Sequence, residues 1–304
     1  MSSRWYTYQK ERFPLLKNGL LVGVFCISIL LFSGLQSSGP ALPGTLPVLA
    51  AMFSTLLIFF QLRVADEIKD YDADARYRPE RPVPRGLVTL RELGALAFVA
   101  AAVQFAIAVA TDVGLVPILV FVWLYMWLMT REFFVPDWLR RHPVAYMLSH
   151  MLVMPMIGLY VSAFDWRCLC NELPAGLGWL LAMSFFTGLV LEIGRKVKTA
   201  SGERDGVDTY SALWGPARSA AAWAGCAIVA ALLYLEALSY ISIGLPGVLP
   251  ALAASAIATL AAIPFIARGA ELRASFEKAI EGASGLVTLC LYAGLGPLQL
   301  LLGD

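Results

Sequence analysis

Charge is what this sequence lacks. Only 15% of its 304 residues are Asp, Glu, Lys or Arg, against about 25% in an average soluble domain. The stretches 18–62, 93–111, 113–130, 143–164, 173–191, 219–235, 237–267 and 282–303 carry no charged side chain. Apolar and polar residues do not alternate strictly within them, which excludes the β-barrel pattern and leaves helices as the way to satisfy backbone amides in lipid. Histidine is limited to two residues. The five cysteines (Cys26, Cys168, Cys170, Cys226, Cys290) are scattered, and the pair Cys168 and Cys170 is too few for a zinc site. The net charge of +1 says little by itself, and what matters is where the charges fall; no nucleic-acid partner is expected.

A spanning helix needs roughly 20 apolar residues. The run 18–62 is too long for one span, and the Gly-, Pro- and Ser-rich segment 36–44 breaks it. The expected spans are 17–35, 46–62, 92–110, 113–130, 144–163, 175–194, 217–239, 247–267 and 283–302. The fold class is therefore all-α: a polytopic membrane protein of about nine transmembrane helices in a single domain. Span 1 is long for a signal-peptide core. All but Arg167 of the 23 Lys and Arg residues fall on one face. The positive-inside rule puts the amino terminus in the cytoplasm, the carboxyl terminus outside and the polar loops 63–91 and 195–216 on the cytoplasmic side, in the manner of a bacterial inner-membrane protein. Residues 1–16 mix Trp5, Tyr6 and Tyr8 with Arg4, Lys10 and Arg12, as an interfacial helix does. Residues 270–285 read as a second interfacial piece.

The loop after span 2 carries the chemistry. If the span-2 helix continues into it, Asp66, Asp70 and Asp74 share one face, since each step of four rotates by only about 40°. Like charges at that spacing repel, and a hard divalent cation such as Mg2+, which takes one or two carboxylates plus substrate phosphates, offsets that cost. Pro79, Pro82 and Pro84 end the helix and present Arg78, Arg81 and Arg85 on a stiff turn, with Lys69 upstream. Guanidinium forks match phosphate oxygens. Carboxylates for a metal beside cations for phosphates point to a diphosphate site.

The segment Asp66-Glu67-x-x-Asp70-x-x-x-Asp74, followed by Pro79-Glu80-Arg81-Pro82-Val83-Pro84-Arg85-Gly86, resembles the first aspartate-rich motif and turn of the UbiA superfamily of intramembrane prenyltransferases. The family pattern is Asn-Asp-x-x-Asp-x-x-x-Asp; here Asp66 and Glu67 replace its first two residues and keep oxygen ligands. The resemblance implies spans around a central cavity, Mg2+ as cofactor, a prenyl diphosphate donor from the bilayer and an acceptor that the sequence does not name. It implies that Asp66, Asp70 and Asp74 are catalytic and that they hold metal together with Glu67.

The second family motif is altered. Gly206-Val207-Asp208-Thr209 and Gly215 match its downstream half, but the paired aspartates before Gly206 are missing. Glu192, Arg195, Lys196 and Thr199 stand instead on one helix face. Glu192 becomes a further metal candidate, Arg195, Lys196 and Lys198 become diphosphate candidates, and Glu203, Asp205 and Asp208 are further acidic candidates. Tyr71 and Tyr77 are placed to stabilise an allylic cation. His150 sits inside span 5, where an ionisable group often faces a cavity. A span, an acidic–basic loop ending in Gly and two further spans occur at 46–130 and again at 175–267, a weak internal repeat. The rival readings are transfer of another group onto a polyprenyl phosphate, transport, and a non-catalytic subunit.

Overall fold

The structure, a computed structural model, describes residues 3–36, 42–169, 172–203, 208–241, 244–268 and 275–302. The described residues are helices and connecting turns. The apolar runs become α2 (Leu15–Gly34), α3 (Thr45–Lys69), α5 (Leu90–Thr111), α6 (Leu115–Thr130), α8 (Pro143–Met151), α9 (Val153–Leu169), α10 (Leu177–Arg195), α12 (Pro216–Leu238), α13 (Leu249–Arg268) and α14 (Ser275–Leu295). The shorter elements are α1 (Arg4–Arg12), α4 (Tyr71–Tyr77), α7 (Pro136–Arg141), α11 (Tyr210–Trp214) and α15 (Pro297–Leu302). α8 and α9 form one near-continuous rod, because Leu152 between them keeps helical dihedrals (φ −59°, ψ −17°).

Among the described residues seven helices are long and apolar enough to cross a membrane. The two other expected spans fall on α6, which has 16 residues, and on α14, whose first turns carry Glu277, Lys278 and Glu281. This last helix corrects one expectation: residues 275–285 are not a separate interfacial piece but the start of α14.

The helices α2, α3, α5, α6, α9, α10, α12, α13 and α14 each pack against the next, and α14 returns to α2, so they close a ring. The pairing α3–α5–α6 is matched by α10–α12–α13, which accords with the weak repeat in the sequence. Both polar loops also end on a glycine in the left-handed region, Gly86 (φ +76°) and Gly215 (φ +82°), a conformation that costs glycine nothing and other residues strain. α2 also packs on α9, Ile29, Phe32, Tyr160 and Phe164 are all buried in the core, and Phe25 meets Phe59 and Tyr292 edge to face. Large apolar side chains such as Leu20, Phe98 and Leu260 point outward from the ring, at 65%, 77% and 68% exposure, a pattern that suits lipid rather than water.

At one end of the ring α1 folds over α3. Tyr8 packs with Val64, and with Val83, Val88 and Leu93 from the proline turn and α5, while Phe13 meets Phe60 edge to face at 5.7 Å. A capping box between Thr89 and Glu92 starts α5, and Arg4 reaches Glu92 at 2.7 Å.

Candidate active site

α3 does continue toward the acidic loop. The backbone N–H of Asp70 donates to the carbonyl of Asp66 at 2.9 Å, that of Asp74 to Asp70 at 2.8 Å, and that of Arg78 to Asp74 at 2.8 Å. The three aspartates thus sit on one helical ladder carried through α4. Asp70 caps α3 without a side-chain hydrogen bond to the backbone. Burial raises its carboxyl above the usual carboxylate range; Asp66 and Asp74 push the same way, while Lys69 and Lys196 oppose them.

Six of the expected residues meet at this end of the ring. Glu192 on α10 pairs with Arg195 at 2.5 Å and Lys196 at 2.9 Å. Asp66 and Glu192 act on Arg195, and Lys196 acts on Asp70. The ends of α3 and α10 therefore lie within electrostatic reach of each other, with Asp66, Asp70 and Lys69 on one and Glu192, Arg195 and Lys196 on the other. The second loop is tied down at both ends. Tyr210 N–H donates to the Lys196 carbonyl at 3.2 Å and Lys198 N–H to Ser211 Oγ at 2.5 Å. Burial raises the phenol of Tyr210, and the Glu192 carboxylate adds to the effect.

The structure directs the other expected residues elsewhere. Glu67, one step of about 100° from Asp66, turns under α1 and pairs with Arg12 at 2.5 Å; its side chain is only 1% exposed. Asp74 is buried and gives one oxygen to Arg78 and the other to Arg81. That triad folds the proline turn back on α4, so the two arginines are engaged within the loop. Arg85 reaches Glu11 at 3.0 Å and the Glu80 carbonyl at 2.9 Å. Lys198 lies 3.5 Å from Glu277, whose other oxygen accepts from the N–H and hydroxyl of Thr199. Glu203 accepts from the Thr209 hydroxyl, and Asp208 is exposed. Asp205, Gly206 and Val207 lie outside the described residues. Tyr71 and Tyr77 are exposed, at 40% and 44%.

Sequence reasoning passed over Tyr146 and Arg63. Lys69 Nζ donates to the Tyr146 hydroxyl at 2.7 Å, and Tyr146 stacks on His150 with ring centroids 4.1 Å apart. The available signal was Tyr146 and His150 four residues apart in an otherwise apolar run. Arg63 donates to Asp66 at 3.4 Å and shares the field of Arg12 and Arg195. Overhead, Glu132, Phe133 and Phe134 all have left-handed dihedrals (φ 46°, 52°, 60°). Such strain costs of order 1–3 kcal/mol per residue and gathers at functional sites; here it presses Phe133 edge-on against His150 at 6.0 Å.

Fold and patch together define an all-helical integral membrane protein whose ionic site lies at one end of its spans. The sequence profile of the UbiA prenyltransferase family matches residues 20–276, and the chain belongs to that family. No curated protein matches it. Among solved structures, a UbiA homologue from Aeropyrum pernix K1 aligns with a TM-score of 0.67 at 16% identity, covering 90% of this chain and 96% of that one. A digeranylgeranylglyceryl phosphate synthase aligns at 0.64 and 15% identity, over 97% and 99% of the two chains. A UbiA homologue from Archaeoglobus fulgidus, bound to GPP and Mg2+, aligns at 0.55 and 12% identity, over 91% and 98%. At these identities the likeness is one of fold.

Proposed function

We propose that the chain transfers a prenyl group from a prenyl diphosphate to an acceptor with Mg2+ assistance, at the cytoplasmic ends of α3 and α10. The observation that carries this reading is the convergence of Asp66, Asp70 and Lys69 with Glu192, Arg195 and Lys196. The donor set fits Mg2+. Asp66 and Asp70 offer hard oxygen ligands, and Asp70 carries a repulsion that a cation would relieve. Among the described residues no three His, Cys, Asp or Glu side chains converge on one metal position. A protein-only cage is therefore unsupported, whereas Mg2+ completed by diphosphate oxygens and water needs only one or two carboxylates. The structural relative bound to GPP and Mg2+ supports the same choice.

Asp66 and Asp70 would hold the metal, while Glu192 holds Arg195 and Lys196 in place. Lys69, Arg195 and Lys196 bind phosphate oxygens as the departing diphosphate gathers charge. When bound, Mg2+ neutralises part of that charge. The prenyl tail lies among apolar side chains at membrane depth. This topology keeps the amino terminus and both polar loops in the cytoplasm, the carboxyl terminus outside and all of the chain in one domain.

The test uses purified protein in detergent with a panel of radiolabelled prenyl diphosphates, following diphosphate release with and without Mg2+ as acceptors are added singly. Mg2+-dependent release with label passing to an acceptor is expected; full activity in excess chelator would remove the metal from the mechanism. Arg195→Ala deletes one charge-assisted contact worth about 1.5–3 kcal/mol, so donor affinity should fall by roughly 10- to 100-fold. Unchanged donor affinity in a titration would take Arg195 out of the site.

A further inference from the structure

Where α1 folds over α3 and α5 it leaves a groove of about 260 Å3, lined by Tyr8 and Phe13 of α1, Phe53, Leu57 and Phe60 of α3 and Leu96 of α5. Tyr8 and Phe13 are buried, whereas Phe53, Leu96 and the adjoining Leu15 are exposed, so the groove opens to the surroundings of the ring. Gln9 is its one polar lining residue, and the Gln9 amide donates back to the Phe13 carbonyl at 3.5 Å. Phe53, Leu57 and Phe60 belong to the charge-free run that ends at Leu62, and Leu96 to the run 93–111. The wall therefore stands at the depth of hydrocarbon. From Phe53 to Phe60 it follows about 10 Å of helix, most of the roughly 15 Å that one leaflet contributes to the bilayer core. The groove is also separate from the candidate active site. Glu67 stands two turns beyond Phe60 on the same helix face and is held by Arg12 of α1, while Asp66 and Asp70 lie within electrostatic reach of α10.

Charge at the mouth narrows the choice of occupant. Arg4 is engaged by Glu92 and Arg12 by Glu67, and Glu11 is taken by Arg85. Lys10, next to Gln9, and Lys17, shortly past Phe13 and Leu15, are exposed and form no ion pair among the described residues. We propose that this groove binds a bilayer phospholipid with an anionic headgroup, one acyl chain lying along Phe53, Leu57 and Phe60 and the headgroup meeting Lys10 and Lys17 at the interface. A zwitterionic lipid brings its own cation to its phosphate; an anionic one leaves a net negative charge for the two lysines. A second copy of this chain fits less well, because a two-fold contact over the groove would gather Lys10 and Lys17 of both copies in one interface, where like charges repel. The proposed topology sets this end of the ring in the cytoplasmic leaflet, where anionic lipids gather, and the groove stands apart from the prenyl-transfer reading. A lipid held here steadies α1, the helix whose Arg12 and Glu11 reach Glu67 and Arg85 around the first polar loop.

Trp5 also lines the groove and reports on it. The full chain is placed in phosphatidylcholine vesicles that carry a small fixed fraction of lipid with brominated chains, either phosphatidylglycerol or phosphatidylcholine. The chain has eight tryptophans, so quenching is read against Trp5→Phe, and the difference isolates Trp5. A lysine near an anionic surface favours binding by about fivefold. Brominated phosphatidylglycerol should therefore quench Trp5 at a several-fold lower fraction than brominated phosphatidylcholine. The combined Lys10→Gln and Lys17→Gln variant should bring the two curves together, and Leu57→Phe with Leu96→Phe, which narrows the groove, should weaken quenching by both lipids. Coincident curves in the parent, a preference that survives the loss of both lysines, or quenching unchanged by the two phenylalanines would overturn the lipid site. Trp5 untouched by either lipid would mean that another copy of the chain covers the groove, and would overturn it too. Relief of the quenching by geranyl diphosphate with Mg2+ would hand the groove to the tail of the prenyl donor and reject the bilayer lipid.

Discussion

Asp70→Ala should lower prenyl transfer by at least about a hundredfold, the scale on which single electrostatic contacts to a developing anion act, while the protein stays folded in the membrane. The structure makes the second half of that statement sharp. Burial and the flanking Asp66 and Asp74 raise the Asp70 carboxyl above its ordinary range. A raised carboxyl means that the fold binds the proton more tightly than the unfolded chain does, so ionised Asp70 opposes folding at neutral pH and the penalty disappears as the pH falls. Removing the side chain removes the penalty. In metal-free detergent solution the melting temperature of Asp70→Ala should equal or exceed that of the parent, and stabilisation by added Mg2+ should shrink. A variant that loses activity and melting temperature together would show a structural role and end the assignment of Asp70 as a ligand. The pattern of a repelled carboxylate that function retains is the one expected where a site trades stability for chemistry.

Much of the fold was legible because membrane depth leaves so little choice. Charge-free runs of spanning length become helices at nearly the expected places, as α5 (Leu90–Thr111) does for the expected 92–110. The glycine at the end of each polar loop also reads directly, since Gly86 and Gly215 occupy dihedrals that few other residues accept. The ladder from Asp66 through Asp70 to Asp74 follows from helical periodicity alone.

Periodicity says which residues share a face and nothing about what that face meets. Asp66 and Asp70 meet α10, Glu67 meets Arg12 on a helix more than fifty positions away, as their ion pair records, and Asp74 meets arginines a few residues downstream once the proline turn folds back. Long-range packing decides all three. The same limit hid Tyr146, whose hydroxyl matters only because Lys69 comes within 2.7 Å of it. It also hid the partner of Lys198, which is Glu277 on the last long helix. The start of α14 was misread for a further reason. Glu277, Lys278 and Glu281 look interfacial in sequence, yet Glu277 is used inside the fold to anchor the second polar loop.

Glu67 has the largest expected effect on stability. Its carboxylate is almost fully buried, the Arg12 side chain is 14% exposed, and their 2.5 Å contact joins α1 to α3 beneath the Tyr8 cluster. Tyr8 lies over the pair; burial raises its phenol, and the Glu67 carboxylate adds to that. Breaking a buried pair by removing one partner costs about 3–5 kcal/mol, because the other charge stays behind without compensation. Arg12→Met should therefore destabilise the protein by that amount. Glu67→Gln should cost less, since Arg12 is nearer to solvent and its charge can be rehydrated. The paired variant Arg12→Met with Glu67→Met should recover most of the loss, because an apolar pair of similar volume has no desolvation penalty to repay. Denaturant unfolding of the parent, Arg12→Met, Glu67→Met and the paired variant in one detergent measures the coupling as a double-mutant cycle. Additive losses would mean that the two charges do not sense each other. Donor binding offers the second reading of the same set: the Glu67 variants should keep Mg2+-dependent geranyl diphosphate affinity, since Glu67 faces α1 rather than Asp66. Loss of that affinity in Glu67→Gln, at unchanged stability, would return the residue to the metal site.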